Sequence, residues 1–399
     1  MFERLNRLAP DPILGLMAAF RADNDPRKVD LGVGVYRDDQ GDTPILSAVR
    51  QAEQAVLARQ TTKSYVSAVG NPGFNQAMER LVLGTDHPAL TGGRVRTIQA
   101  PGGCGALRLG AELIRIASPD SVVYVSTPTW ANHIPLLSGC GLKLEHYPYF
   151  DPATGGVQFE SMLSALERLP ARTVVLLHAS CHNPTGADLS EGQWRQLLEL
   201  FKRRNLLPFM DIAYQGLGTG VVEDAFGIRL FCSELPEVTV AISCSKNFGL
   251  YRERTGALHV ISESTTAADA VLSQLVRIAR SIYSMPPDHG AAIVLEILEH
   301  SALRELWVDE VAAMRGRIQG LRREAVQQLR QTCSQRDFGF IETQRGMFSY
   351  LGLSVDQVRQ LQTQHHVYMT DDSRVNIAGL RRDNLGYFAQ AVAKVLIAR

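Results

Sequence analysis

Lys246 lies in the run Ser243–Cys244–Ser245–Lys246–Asn247–Phe248–Gly249, with Arg254 close behind it. A lysine whose charge is disfavoured by burial or by nearby cations can act as a nucleophile or a proton carrier. Serines and an arginine are natural phosphate ligands. A single loop lysine more often faces solvent, so the neighbouring hydroxyls and the arginine are what argue for chemistry here. Asp211 ends another apolar run, Leu206–Asp211, and Tyr214 follows it. Such a carboxylate can face a cation or a protonated ring nitrogen, or can simply cap a turn. Pro101–Gly102–Gly103–Cys104–Gly105 stands between a strand-like and a helix-like stretch. Its glycines allow close backbone approach, and a helix N-terminus offers N–H groups to an anion. A tight structural turn explains the same residues. It is not a GxGxxG dinucleotide loop, because Arg108 falls where the last glycine would stand.

A fourth candidate is His178–Ala179–Ser180–Cys181–His182–Asn183–Pro184–Thr185–Gly186. Polar side chains after a strand often meet a ligand at the sheet edge, and Asn183 can donate to an oxygen. An ordinary Asn-Pro turn is the plain alternative. The His and Cys spacing matches no finger or HExxH metal site. Arg280 and Arg374 could each take a carboxylate through two parallel hydrogen bonds, or serve structure alone. Trp130 could stack on a ring, or belong to the core.

The elements that must position these residues show in the rhythm of the chain. Short apolar runs recur at Arg94–Ile98, Val122–Ser126, Leu142–Tyr147, Thr173–His178, Leu206–Asp211, Val238–Ser243 and Gly256–Ile261. Several are nearly continuous, as strands covered on both faces are. Helical patterns at 104–117, 158–169 and 190–204 separate them, so the pattern predicts a mostly parallel sheet in an α/β sandwich. Further helices are expected at 48–60 and 74–83. Residues 301–331 form a long helical stretch. A strand at 347–352, a helix at 354–364, a strand near 367–370 and a helix at 383–397 then suggest a small α+β domain. Residues 1–20 look like an arm, with Pro10 and Pro12 breaking any early helix.

Length and composition agree with this. At 399 residues and 45% hydrophobic, the chain exceeds what one core usually serves. Lys plus Arg equals Asp plus Glu at 41 each, which leaves no basic footprint for nucleic acid. The start of the chain lacks the apolar core of a secretory signal, and no stretch is long and apolar enough for a membrane span. The six scattered cysteines form no CxxC. They read as free thiols in a reducing cytoplasm.

Taken together, VDLGVGVY (29–36), HNPTG (182–186), DIAYQG (211–216), SKNFGLYRERTG (245–256), GMFSY (346–350) and SRVNIAGL (373–380) resemble, in order, the class I aspartate and aromatic amino-acid aminotransferases. These are pyridoxal-phosphate enzymes of fold type I, and the resemblance spans nearly the whole chain. It implies a large domain with a mixed, mostly parallel seven-stranded sheet between helices, over 48–315. It implies a small α+β domain from 13–47 and 316–399, and an arm at 1–12. It also implies roles. Lys246 bonds pyridoxal 5'-phosphate and shuttles the proton. Asp211 pairs with the ring nitrogen, supported by His133. Tyr214 and Asn183 bond the phenolic oxygen, and Trp130 stacks on the ring. Gly102, Gly103, Cys104, Ser243, Ser245 and Arg254 surround the phosphate, which Tyr65 reaches from the other subunit. Arg374 grips the substrate α-carboxylate, with Gly34 and Phe348 lining the substrate space. Arg280, again from the neighbour, takes a distal carboxylate. A homodimer with shared active sites follows.

Two departures from the family pattern matter. Gly102 and Cys104 stand where hydroxyl residues are common, so phosphate binding should lean on backbone N–H groups, Ser243, Ser245, Arg254 and Tyr65. Cys104 is either an oxidation-sensitive thiol or a quiet packing residue. Where aspartate-selective relatives read RANYSNPP, this chain reads Arg280–Ser281–Ile282–Tyr283–Ser284–Met285–Pro286–Pro287. Two polar amides have become apolar, which favours aromatic donors, with 2-oxoglutarate as acceptor and ping-pong kinetics. Aspartate aminotransfer is the alternative. A lyase or decarboxylase on the same fold, a non-catalytic cofactor-binding regulator and an NAD-dependent oxidoreductase are readings of other classes.

Overall fold

The computed structural model describes residues 1–7 and 12–397. The chain divides into two compact units. The larger comprises Pro44–Gly316 with Gln344–Gly346, and the smaller comprises Met1–Thr43, Arg317–Thr343 and Met347–Arg399. The divisions fall a few residues from the expected 47/48 and 315/316 boundaries. Pro10 and the rest of 8–11, part of the expected arm, lie outside the described residues. Pro12 does not break a helix. It opens one, Pro12–Ala22, since a first-turn proline lacks only an N–H that would have had no helical partner.

The larger unit is built on seven strands: β1 Val95–Pro101, β2 Val122–Thr127, β3 Lys143–Pro148, β4 Val174–His178, β5 Leu207–Ile212, β6 Val238–Ser243 and β7 Thr255–Ile261. Their spatial order is β1-β7-β6-β5-β4-β2-β3. All neighbouring pairs are parallel except those of β7, which runs against both β1 and β6. Every β7 residue is buried, as expected of a strand covered on both faces. Helix Gly102–Ala117 packs its Ala106, Leu107, Leu109 and Leu113 into the core with Ile98, Val123, Val125, Leu176, Phe209 and Leu258. Helix Glu191–Arg204 starts on a reciprocal cap in which Ser190 and Gln193 each bond the other's backbone.

In the smaller unit, Val29–Asp30 pairs in parallel with Val367–Tyr368. Phe348–Tyr350 pairs antiparallel with Arg374–Asn376. Ser354 and Gln357 form the same kind of cap on helix Val355–His365, and helix Leu385–Ile397 buries Phe388, Val392 and Val395. Helix Ser301–Thr332 contains the division at Gly316. No helix among the described residues is long and apolar enough to cross a membrane.

Candidate active site

The strand directions bring the chemistry to one edge of the sheet. The parallel strands β2, β4, β5 and β6 all end there, and so does β1. His178 is level with Asp211 across β4 and β5, and Asp211 is level with Ala241 across β5 and β6. Because β7 is reversed, it starts where the others stop. Its first residue, Thr255, pairs with Pro101, and Gly256 pairs with Ser243. Arg254, just before β7, is thereby delivered to the edge that carries Gly102, Asp211, Ser243 and Lys246.

The lysine turn is pinned from below. The Trp307 indole N–H donates to the Asn247 carbonyl at 2.8 Å. The Phe248 ring stacks on Trp307 with centroids 4.5 Å apart, and both rings are fully buried. Above this anchor the Lys246 Nζ lies 5.1 Å from the centre of the Tyr214 ring. The Asn183 amide donates to the Tyr214 hydroxyl at 3.4 Å. Asn183 itself sits in a turn whose start is fastened by Asp188, which accepts the Cys181 and His182 N–H groups at 2.7 and 2.8 Å. Burial pushes the Asp188 carboxyl up to about 6.

Asp211 is backed by a chain of polar rings. His133 Nε2 lies 3.2 Å from Asp211 Oδ2. His133 Nδ1 lies 2.9 Å from Thr129 Oγ1, which lies 3.2 Å from His178 Nε2. Burial alone would raise the Asp211 carboxyl. The His133 hydrogen bond, with smaller electrostatic contributions from His133, His178 and Lys246, outweighs it and holds Asp211 below its ordinary value. A carboxylate kept anionic in a buried site suits a cationic ring nitrogen. Trp130 meets His133 edge-on at 5.2 Å.

The glycine turn and Arg254 form a cradle. Gly102 has φ +70°, and a Cβ there would fall 2.6 Å from Arg254 Nη2, so the guanidinium rests directly on the backbone at the helix start. Arg254 also donates to Ser245 Oγ at 3.3 Å and to the Tyr251 carbonyl at 3.1 Å. A Cβ on Gly103 would fall 3.1 Å from Ser243 Cβ. Cys104 Sγ accepts from the Asn132 amide at 3.7 Å. Backbone N–H groups at a helix start, two serines and an arginine make a set of donors for a phosphate. With the lysine, the anionic aspartate and the Tyr214–Asn183 pair, the residues fit pyridoxal phosphate.

The smaller unit assembles its own three candidates. The segment Leu31–Val35 is laid along the strand Arg374–Asn376. Arg374 Nη2 donates to the Gly32 carbonyl at 2.7 Å, and the Asn376 amide donates to the carbonyls of Val33 and Val35. The Arg374 guanidinium lies 4.4 Å from the centre of the Phe348 ring. A Cβ on Gly34 would stand 2.9 Å from Phe348 Cζ, so glycine is what lets the two segments meet. Buried Arg322 donates to the Phe348 carbonyl and to Ser349 Oγ.

Two candidates are not gathered with the rest. Tyr65 is 92% exposed. Arg280, exposed at the end of helix Thr265–Ile282, donates to Ser284. Other contributors escape a reading of the sequence. Thr129 is one: it links His133 to His178, the first residue of the run singled out in the sequence, through an alignment of neighbouring strands that no motif announces. Asp224 accepts backbone N–H groups from Gly216, Gly218, Thr219 and Gly220, and so ties up the loop that follows Tyr214. Its only signal is an acid placed after a glycine-rich stretch.

The family model for aminotransferases of class I and II matches residues 26–392. An aromatic-amino-acid aminotransferase of Pseudomonas aeruginosa is 48% identical over 99% of this chain and 98% of its own length. An aspartate aminotransferase of the same organism is 43% identical over 99% of this chain and 100% of its own. The crystal structure of an aromatic-amino-acid aminotransferase from Burkholderia pseudomallei, covalently bound to pyridoxal phosphate, superimposes with a TM-score of 0.97. It is 45% identical and covers 99% of both chains. With the Lys246 turn, the Asp211 backing and the phosphate cradle on one sheet edge, this agreement along the whole length means that the chain belongs to the class I and II aminotransferases.

Proposed function

We propose that the protein transfers the amino group of an aromatic amino acid, tyrosine or phenylalanine, to 2-oxoglutarate, with pyridoxal phosphate as cofactor. The observation that carries this is Lys246 beside Tyr214 and Asn183 on the edge that bears a buried, anionic Asp211. When bound, pyridoxal phosphate supplies an electron sink that acidifies the α-proton of an amino acid. The rest falls to the chain's own side chains. Lys246 gives the amine that bonds the cofactor, then takes and returns the proton. Asp211, supported by His133, keeps the ring nitrogen cationic. Tyr214 and Asn183 bond the phenolic oxygen, and Trp130 covers the ring. Gly102, Gly103, Cys104, Ser243, Ser245 and Arg254 take the phosphate. Arg374 holds the α-carboxylate, with Gly34 and Phe348 lining the space for the side chain.

Arg280 takes the distal carboxylate of 2-oxoglutarate, and the apolar Ile282 and Met285 near it favour aromatic donors. An apolar wall discriminates by roughly 1–3 kcal/mol per methylene, so aspartate is the second reading, favoured by Arg280 itself. The exposure of Tyr65, Phe2 and Leu5 supports a homodimer in which each subunit lends Tyr65 and Arg280 to its neighbour. Six free thiols, five of them buried, suit the cytoplasm.

Borohydride reduction of the holoenzyme should fix the pyridoxyl group on Lys246. Lys246→Ala should slow the first half-reaction by about 10²–10⁴; a loss smaller than about tenfold rejects its role. Comparing kcat/KM for tyrosine, phenylalanine and aspartate with 2-oxoglutarate decides specificity, and a large aspartate preference overturns the aromatic reading. Mixed dimers of Lys246→Ala and Arg280→Ala subunits should regain activity with 2-oxoglutarate, since one of their two sites is then intact. No recovery rejects Arg280 as a residue lent across the dimer.

A further inference from the structure

Gln99 sits on β1, the edge strand that ends at the phosphate turn, and is fully buried. Its polar atoms reach two segments distant in sequence. Its backbone N–H donates to the Val69 carbonyl at 2.9 Å. Its side-chain oxygen accepts the Asn71 N–H at 2.9 Å, and its side-chain NH₂ donates to the Pro287 carbonyl at 2.6 Å. Its own carbonyl accepts the Tyr283 hydroxyl at 3.5 Å. Gly70, at φ +89°, lies between two of these partners. A Cβ there would fall 2.3 Å from Gln99 Cβ, so the backbone of 69–71 rests on the glutamine itself. One segment follows Tyr65 by a few residues, and the other follows Arg280. Glutamine suits the task because its amide donates and accepts through separate atoms at the end of a long side chain without carrying charge.

We infer that Gln99 is a positioning residue that holds, through one side chain, the two segments each subunit lends to its neighbour. The inference rests on the reading of Tyr65 and Arg280 as cross-subunit residues. Gln99 is fully buried, and its side-chain amide is engaged by these two segments. It sets where the Tyr65 segment leaves β1 and where the chain turns after Arg280. Cofactor retention and the preference for a dicarboxylate acceptor are thereby coupled through one amide.

Gln99→Met keeps the side chain's length and removes both of its hydrogen bonds. In the holoenzyme it should raise the KM for 2-oxoglutarate about tenfold and leave phenylpyruvate, which has no distal carboxylate, within about twofold. Cofactor release should quicken in the same variant. A purely structural role would weaken both 2-oxo acids alike, and that result overturns the inference, as does no change in either. Arg280→Ala is the control. If it discriminates between the two acids and Gln99→Met does not, the inference alone fails. If neither discriminates, the reading of Arg280 fails and takes this inference with it. Should Gln99→Met not fold, hydrogen exchange on the unsubstituted holoenzyme gives the same test. The peptide covering 66–74 should exchange more slowly with 2-oxoglutarate than with phenylpyruvate, and equal effects refute the coupling.

Discussion

Gly102→Ala is expected to strip the protein of its cofactor while leaving the sheet intact. The new Cβ would stand 2.6 Å from Arg254 Nη2 and 3.0 Å from its Cζ. Ordinary contact lies near 3.5 Å, so the guanidinium must move by about an ångström. It cannot do so freely, because Ser245 Oγ and the Tyr251 carbonyl hold it. Nor can Gly102 retreat. Gly256 packs so closely behind it that a Cβ on Gly256 would fall 2.7 Å from the Gly102 carbonyl carbon. An alanine at φ +70° adds about 1–2 kcal/mol of backbone strain. A hydrogen bond to a charged group contributes about 1.5–3 kcal/mol, so losing the Arg254 contact should raise the cofactor Kd roughly 10- to 100-fold. Gly103→Ala is the matched control, since its Cβ meets Ser243 Cβ at 3.1 Å and a small adjustment absorbs it. We expect a change there of about threefold or less. Titration of each apoenzyme with pyridoxal phosphate, followed by the cofactor's visible absorbance, gives the two constants. If Gly102→Ala binds as tightly as the parent, Arg254 is not held against the turn in the way described.

Asp224→Ala should remove the carboxylate that accepts four backbone N–H groups and cost about 3 kcal/mol. Urea unfolding measures this, and a loss below about 1 kcal/mol contradicts the account of that loop. His259, fully buried on β7, is held down to about 4 by burial. The unfolded chain takes up a proton there near pH 6.5, so the contribution of the neutral ring is present above that pH and fades as pH falls towards 4. His259→Gln should therefore flatten the acid limb of the stability curve by about 3 kcal/mol, and an unchanged slope in denaturant midpoints against pH refutes it. Gly34→Ala would press on Phe348 Cζ from 2.9 Å and should raise the KM for phenylalanine about tenfold. An unaltered KM rejects the proposed lining role.

Where apolar runs were short and bounded, the sequence sufficed. The strand Val238–Ser243 was expected with the bounds it has, and the Lys246 turn follows it directly. Helix Gly102–Ala117 begins two residues before its side-chain pattern does, because Gly102 and Gly103 carry nothing to reveal a period. Helix Asp288–Glu299 went unread for the opposite reason. Its Ile293, Val294 and Ile297 sit in a nearly unbroken apolar stretch, and such a run hides its periodicity. Among the candidate residues, motifs singled out Lys246, Asp211 and Asn183, since each lies in a short run of its own. They marked the run that starts at His178 but not its link through Thr129 to His133, and they said nothing of Asp224 or of Gln99. Those depend on which strands lie side by side and on hydrogen bonds between distant segments, and neither is written in local spacing.

The reversal of β7 has a consequence for redesign. The connection from Cys244 to Arg254 is a hairpin between adjacent antiparallel strands, with Lys246 near its entrance and the Arg254 guanidinium at its exit. Adding or deleting one residue there would shift the two ends of the proposed cofactor grip relative to each other. The connections at the far rim, near Asn205 and Pro236, bear no such constraint. Loop grafts and affinity tags belong on that rim, and this hairpin should be kept at its natural length.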